Sequence, residues 1–253
     1  MKILRSIAVA FSMYSKIPMP GFQWDSEDMK YHLIFFPWIG ALIGGLEYLL
    51  LRFAGKFELP GLSFAAFSMV IPLVITGGFH VDGFMDTADA FGSWQSKEKR
   101  LAILKDPHIG AFAVIHLGTA GLVMFASLCM MDERAFLNYC FSFFLARCLS
   151  GICVVKGKKA KEEGLLHTEA KTAADKTVFW ILLVELAMCL CLSVWMDPLY
   201  GAIRCGTAFT VTLYYLHGAH KYFGGVTGDL AGWFVVTAEV LMAFTGAIAS
   251  CMR

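Results

Sequence analysis

The chain has 253 residues, of which 58% are hydrophobic and 16% charged, with a formal net charge of +1 and a mean hydropathy of +0.64. A soluble domain needs more polar surface than this, and a near-neutral balance gives no field to draw nucleic acid. The composition predicts an all-α fold: a polytopic helical bundle in a membrane, a single domain over residues 1–253.

Residues 1–16 set Lys2, Arg5 and Lys16 among apolar residues at helical spacing and stop before Pro18 and Pro20. They predict an interfacial or re-entrant helix without a signal-cleavage pattern. About seven spans follow, near 32–52, 62–79, 107–131, 135–155, 177–196, 199–217 and 230–252. Each is close to the length that crosses a hydrocarbon core of about 30 Å. Gly40, Gly44 and Gly45 should permit close helix packing in the first span. Pro60-Gly61 marks the turn before the second, and Pro107 suits a first helical position for the third. The eight cysteines lie scattered through apolar stretches, and Cys189-x-Cys191 is one residue short of redox or zinc spacing. They read as small, lipid-compatible residues in a reducing cell.

Orientation follows from lysine and arginine counts. With the N-terminus inside, fifteen fall on inner segments and five on outer ends, with Arg147 alone inside a span. This bias places connections 80–106, 156–176 and 217–229 in the cytoplasm. Any chemistry is then expected on the inner face.

The first of these connections carries the strongest signal. Asp82 follows 23 uncharged residues, 59–81, and is itself followed by Asp86 and Asp89. Spacing of i, i+4, i+7 puts all three on one helix face, where like charges repel unless a cation lies between them. A hard cation such as Mg²⁺, with Mn²⁺ as the alternative, takes oxygen ligands and shares its remaining positions with phosphates. The competing reading is a solvated helix start with Asp82 as N-cap. His80 is either an interfacial aromatic or a group orienting substrate or metal-bound water. Gly77, Gly78 and Gly83 would let the backbone approach a ligand. Asp106, before Pro107, reads as a helix cap or as a further carboxylate near the metal, with Lys105 facing a phosphate. Arg147 within a span should face a polar cavity, and Glu185 and Glu239 either act there or neutralise a buried cation. The basic run Lys156–Lys161 reads as a headgroup patch or an electropositive rim. Gly224, Gly225, Thr227 and Asp229 form a glycine-rich turn opening a helix, a place where anions bind.

These motifs, in this order, resemble the cobalamin synthase family, the membrane-embedded adenosylcobinamide-GDP ribazoletransferases. The likeness runs from Lys16-Ile-Pro-Met-Pro20 and Phe36-Pro-Trp-Ile-Gly40 through the central match, Thr76 to Asp89. That segment is similar to the family's Gly-Gly-x-His-x-Asp-Gly-x-x-Asp-x-x-Asp core. Lys105-Asp106, Ile109-Gly110, Arg147, Glu162-Glu163-Gly164 and Gly224 to Asp229 follow. Ala90 and Pro107 depart from the family's usual glycine and serine. The resemblance implies a Mg²⁺-dependent transferase in the inner membrane of a prokaryote. It would join adenosylcobinamide-GDP to α-ribazole or its 5′-phosphate, with release of GMP. Asp82, Asp86 and Asp89 would hold the metal. One of these or Asp106 would accept the attacking hydroxyl's proton, and Lys105 and Arg147 would offset charge on the leaving group. Residues 224–229 with His80 would contact substrate. Other enzymes of cobalamin assembly and further copies of the chain are left open as partners. Two rivals compete. The CDP-alcohol phosphotransferases need an Asp-Gly-x-x-Ala-Arg pattern that Phe84, Met85 and Asp86 do not supply, and an ion transporter would place its carboxylates near the bilayer midplane.

Overall fold

The computed structural model describes residues 2–21, 25, 28–160 and 175–253. Lys161, Glu162, Glu163, Gly164 and Lys171 of the sequence reading lie outside them. The described elements are helices α1 (Lys2–Tyr14), α2 (His32–Phe57), α3 (Gly61–Thr76), α4 (Phe79–Gly92), α5 (Lys97–Ile103) and α6 (Ala111–Met130). They continue with α7 (Glu133–Tyr139), α8 (Ser142–Lys156), α9 (Asp175–Met196), α10 (Pro198–Gly218) and α11 (Gly228–Cys251). No strand occurs among the described residues, which hold only an isolated bridge between Lys159 and Val226. The protein is a polytopic helical membrane bundle.

Five helical stretches are long and apolar enough to cross a membrane: 28–57, α6, 133–156, α9 and α11. α3 and α4 together form a sixth apolar stretch, bent by 96°. α10 has the 21 residues needed, but Arg204, Thr207, Thr210 and Thr212 make it less apolar. The fourth expected span is two helices, because a turn at Cys140–Phe141 separates α7 from α8. α1, with Ile3 and Leu4 exposed and Val9, Ala10 and Tyr14 buried, is too short to cross and lies against α2, as an interfacial helix does.

Close contacts at small residues hold the bundle. A Cβ on Gly40 or Gly44 would collide with the backbone of Phe143 or Cys140, so these glycines seat α2 on α8, whereas Gly45 faces open space. Buried Arg204 donates to Ser142 Oγ at 2.8 Å and Ser193 Oγ at 3.2 Å. Asn138 bonds Ser193 through both ends of its amide. Arg204, one of the five cations counted at outer ends, is buried in the bundle, held by the two serines, with Asn138 fixing Ser193.

The connections gather at two ends. At one, the Asp132 carboxylate accepts from Tyr200 Oη at 2.8 Å, its backbone amide donates to Ser250 Oγ at 2.8 Å, and Arg253 reaches Asp197 at 3.2 Å. At the other lie α4, α5, residues 104–110, 157–160, the short π-helix Ala219–Phe223 and the glycine-rich turn after it. There Lys16 N donates to Ile75 O at 2.8 Å and Val226 N donates to Lys158 O at 2.7 Å. The functional candidates are at this second end.

Candidate active site

Gly77 and Gly78 adopt left-handed backbone, with φ of 64° and 79°. That conformation is cheap only for glycine, and it turns the chain from α3 into α4. α4 follows the bend, and the three aspartates stand on it at the expected helical spacing. Asp82 is exposed, while Asp86 and Asp89 are half-buried. Gly83 packs against α11. A Cβ there would come within 2.9 Å of Asp229 Cα and 2.8 Å of its carbonyl oxygen, and one on Gly232 within 3.0 Å of the His80 carbonyl. This glycine seam brings Asp229, in the first turn of α11, beside the α4 aspartates.

The electrostatics follow from that packing. Partial burial first, then the charges of Asp82, Asp229 and Asp89, push the Asp86 carboxyl up to about 6. Among the described residues no three His, Cys, Asp or Glu side chains converge into a ready metal site. The donor set nevertheless suits a hard divalent cation: every candidate is a carboxylate, and their mutual repulsion is what such an ion relieves. Asp89 also has a structural task. Its Oδ2 accepts from Gly110 N at 2.6 Å and its Oδ1 from Ala113 N at 2.9 Å, so it caps α6 from another helix.

That cap corrects the expected start of the third span. α6 begins at Ala111, and Pro107 lies in the connection before it. Asp106 caps no helix; its Oδ1 accepts from His108 N at 3.0 Å and pairs with His108 Nδ1 at 2.7 Å. Those bonds, the backbone one foremost, hold its carboxyl below the ordinary range. Lys105 and Asp106 are exposed, and neither hydrogen-bonds an α4 aspartate among the described contacts. Thr227 is the cap of α11, with Oγ1 accepting from Leu230 N at 3.2 Å, and it is buried. Gly224, at φ 80°, lies under the Lys97 side chain, and Gly225 packs on the backbone of Lys158 and Lys159. The basic run therefore docks on the glycine-rich turn.

Arg147 does face a cavity, as expected of an arginine within a span. Its charge is met by Glu239, 2.7 Å away, and its Nη1 also donates to Phe143 O at 2.8 Å. His80 lines the same cavity of about 130 Å³ with Ser68, Tyr139, Arg147 and Glu239. The Phe36 ring lies near both, 5.6 Å from the His80 ring and 5.9 Å from the Arg147 guanidinium. Glu185 instead accepts from Trp38 Nε1 at 2.8 Å. A wider groove of about 470 Å³, lined by Lys16, Gly77, Gly78 and Asp82, adjoins the cavity that His80 and Arg147 line.

Comparison with known proteins decides the family. The cobalamin-5-phosphate synthase family matches residues 6–247 of the chain. The chain belongs to this family. A relative from Lachnoclostridium phytofermentans, an adenosylcobinamide-GDP ribazoletransferase, is 39% identical over 98% of this chain and 95% of its own length. Relatives of the same name from Clostridium perfringens strain 13 (31% identical; 97% of each chain) and Geobacillus sp. WCH70 (33%; 85% of this chain, 84% of its own) are also similar. No solved structure matches. Family membership makes the chain a transferase enzyme.

For this cobalamin-5-phosphate synthase family member, sequence reasoning missed several residues that the fold brings to the site. Lys16 reaches Gly77 only because the segment after α1 is pinned to the end of α3, and Lys97 reaches Gly224 from 127 residues earlier in the chain. No local pattern announces either. The one available signal was compositional, since both lie on connections expected at the inner face.

Proposed function

We propose that the chain joins adenosylcobinamide-GDP to α-ribazole or α-ribazole 5′-phosphate and releases GMP, on the cytoplasmic face of the inner membrane. The observation that carries this reading is the α4–α11 seam, which concentrates Asp82, Asp86, Asp89 and Asp229 at one end of a bundle whose family and relatives bear that activity's name. Asp82, Asp86 and Asp229 would hold Mg²⁺, with Asp89 fixing α4 to α6 behind them. Such an ion, when bound, neutralises charge on a pyrophosphate. In the reaction a ribazole hydroxyl attacks the phosphorus nearest the cobinamide arm. The bond from that phosphorus to the bridging oxygen breaks, GMP leaves with the electron pair, and the hydroxyl proton passes to a carboxylate of the cluster.

Phosphoryl transfer of this kind depends on positioning and charge neutralisation more than on covalent help. Because Glu239 already balances Arg147, the charge on GMP falls to the exposed lysines around the groove and turn: Lys16, Lys97 and Lys105. The test is direct. Purified protein given adenosylcobinamide-GDP, α-ribazole and Mg²⁺ should release GMP in step with cobalamin formation and stop in excess chelator. Cobalamin formation undiminished in chelator, with bound metal absent, contradicts the metal assignment; no GMP under any condition contradicts the activity.

A further inference from the structure

α3 and α6 leave a gap between them where α6 carries small residues. Even a Cβ added at Gly121 would stay 3.9 Å from the nearest atom, Met69 Cε. The resulting cavity of about 130 Å³ is walled by Met69, Leu117, Met124, Val236 and Val240 and ends on His80, Arg147 and Glu239. It runs inward from Thr76 to Ser68, about 12 Å along α3 at the helical rise. Its polar end is incompletely satisfied: His80 Nδ1 and Arg147 Nε are buried without a hydrogen-bond partner. Arginine Nε–H is a donor only, so what it lacks is an acceptor.

The cavity adjoins the outer groove. Leu73, Thr76 and Val81 line both, and the groove carries Asp82 and Lys16. A ligand seated inside that extends past these shared side chains reaches the proposed reaction centre. Apolar walls, a short polar end wanting an acceptor, and an adjoining groove at Asp82 together define the occupant.

We propose that this cavity seats the flat heteroaromatic base of the ribazole, ring nitrogen toward Arg147 and His80, with the ribose emerging beside Asp82. This assignment rests on the function proposed above. The other candidate occupants fit less well. A corrin ring is far too large, guanine carries more hydrogen-bonding groups than the walls can meet, and a lipid chain would set its methyl end against a charged pair. A base held this way is also removed from water, and its sugar hydroxyls are oriented by a fixed anchor.

The test fills the cavity without touching its polar groups. Gly121→Leu projects into it, whereas Gly118→Leu, on the same helix with no atom within 4 Å of an added Cβ, projects away and serves as control. In detergent-purified full-length protein, Gly121→Leu should raise the KM for α-ribazole about tenfold or more. It should weaken equilibrium binding of α-ribazole alone by the same factor and leave the KM for adenosylcobinamide-GDP unchanged. Gly118→Leu should alter neither. On the wild type, free benzimidazole should compete with ribazole and not with adenosylcobinamide-GDP. If Gly121→Leu aggregates, Ala120→Leu enters the same space from the neighbouring position. Normal turnover by wild type with ribazole KM and binding untouched in the folded filling variant overturns the cavity assignment alone, and so does a shift in the KM for adenosylcobinamide-GDP instead. Absence of both turnover and ribazole binding in the wild type overturns the proposed function with it.

Discussion

Asp86 is the aspartate on which its neighbours act most strongly. Its carboxyl is raised from 3.8 to about 6, so the folded protein holds that proton more tightly than the unfolded chain does. The associated stability is present below about pH 4 and is lost as pH rises through about 6; above that, the ionised group opposes folding. A divalent ion reverses the penalty and must displace the proton to bind. Two outcomes follow in thermal unfolding at pH 7.5. In chelator, Asp86→Asn should melt above wild type, and Mg²⁺ should raise the wild-type midpoint while leaving the variant's unchanged. The Mg²⁺ effect should fade as pH falls below about 6; an undiminished effect at pH 5 would count against Asp86 as a ligand. Asp89 and Asp82 should separate by observable. Asp89→Ala deletes the α6 cap and should cost about 1 kcal/mol of stability, seen as a lower denaturation midpoint. Asp82→Asn, at an exposed position, should leave that midpoint within about 0.5 kcal/mol while abolishing GMP release.

Between α4 and α11 the helices meet backbone to backbone, which leaves no room for a side chain at Gly83. Gly83→Val should force them apart, costing about 1–3 kcal/mol, and reduce turnover by separating Asp229 from Asp86. A folded Gly83→Val with wild-type kcat would show that the seam does not assemble the site. Arg147 and Glu239 make a second inter-helix link, from α8 to α11. Removing either partner leaves a buried charge, at a cost of about 3–5 kcal/mol, whereas Arg147→Met with Glu239→Gln should cost less than the two single changes summed. Denaturation of all four proteins gives the coupling directly. At this scale the sequence was readable where periodicity or apolar length decided the outcome: the helical face of Asp82, Asp86 and Asp89, and five of the seven expected spans. The expected span 62–79 instead ends at the left-handed pair Gly77-Gly78, where the chain bends into α4. The sequence was unreadable where a residue serves a distant element. Asp89 caps a helix that begins 22 residues later, so Pro107, the better local start signal, lost to a tertiary cap. Glu239 neutralises Arg147 from 92 residues away, and the open role assigned to both in the sequence closed only when the helices were packed.

Over the whole molecule, the polar chemistry is divided between two ends. One end is a latch of caps and ion pairs through Asp132, Asp197 and Arg253. The other carries the aspartates, the glycine-rich turn and the exposed lysines. Among the described residues, Lys97, Lys99, Arg100, Lys105, Lys158, Lys159 and Lys221 of the fifteen inner-segment cations lie at this second end, and the positive-inside bias is the ground for proposing that it faces the cytoplasm. Both substrates are charged or highly polar and do not cross a sealed bilayer unaided. Sidedness and activity can therefore be read together by GMP release from sealed membrane vesicles supplied with adenosylcobinamide-GDP, α-ribazole and Mg²⁺ from outside. Inverted vesicles should release GMP, right-side-out vesicles should do so only after permeabilisation, and Asp82→Asn vesicles should release none in either orientation. Release from intact right-side-out vesicles, or wild-type release by inverted Asp82→Asn vesicles, would contradict an aspartate-built transferase site at the cytoplasmic face.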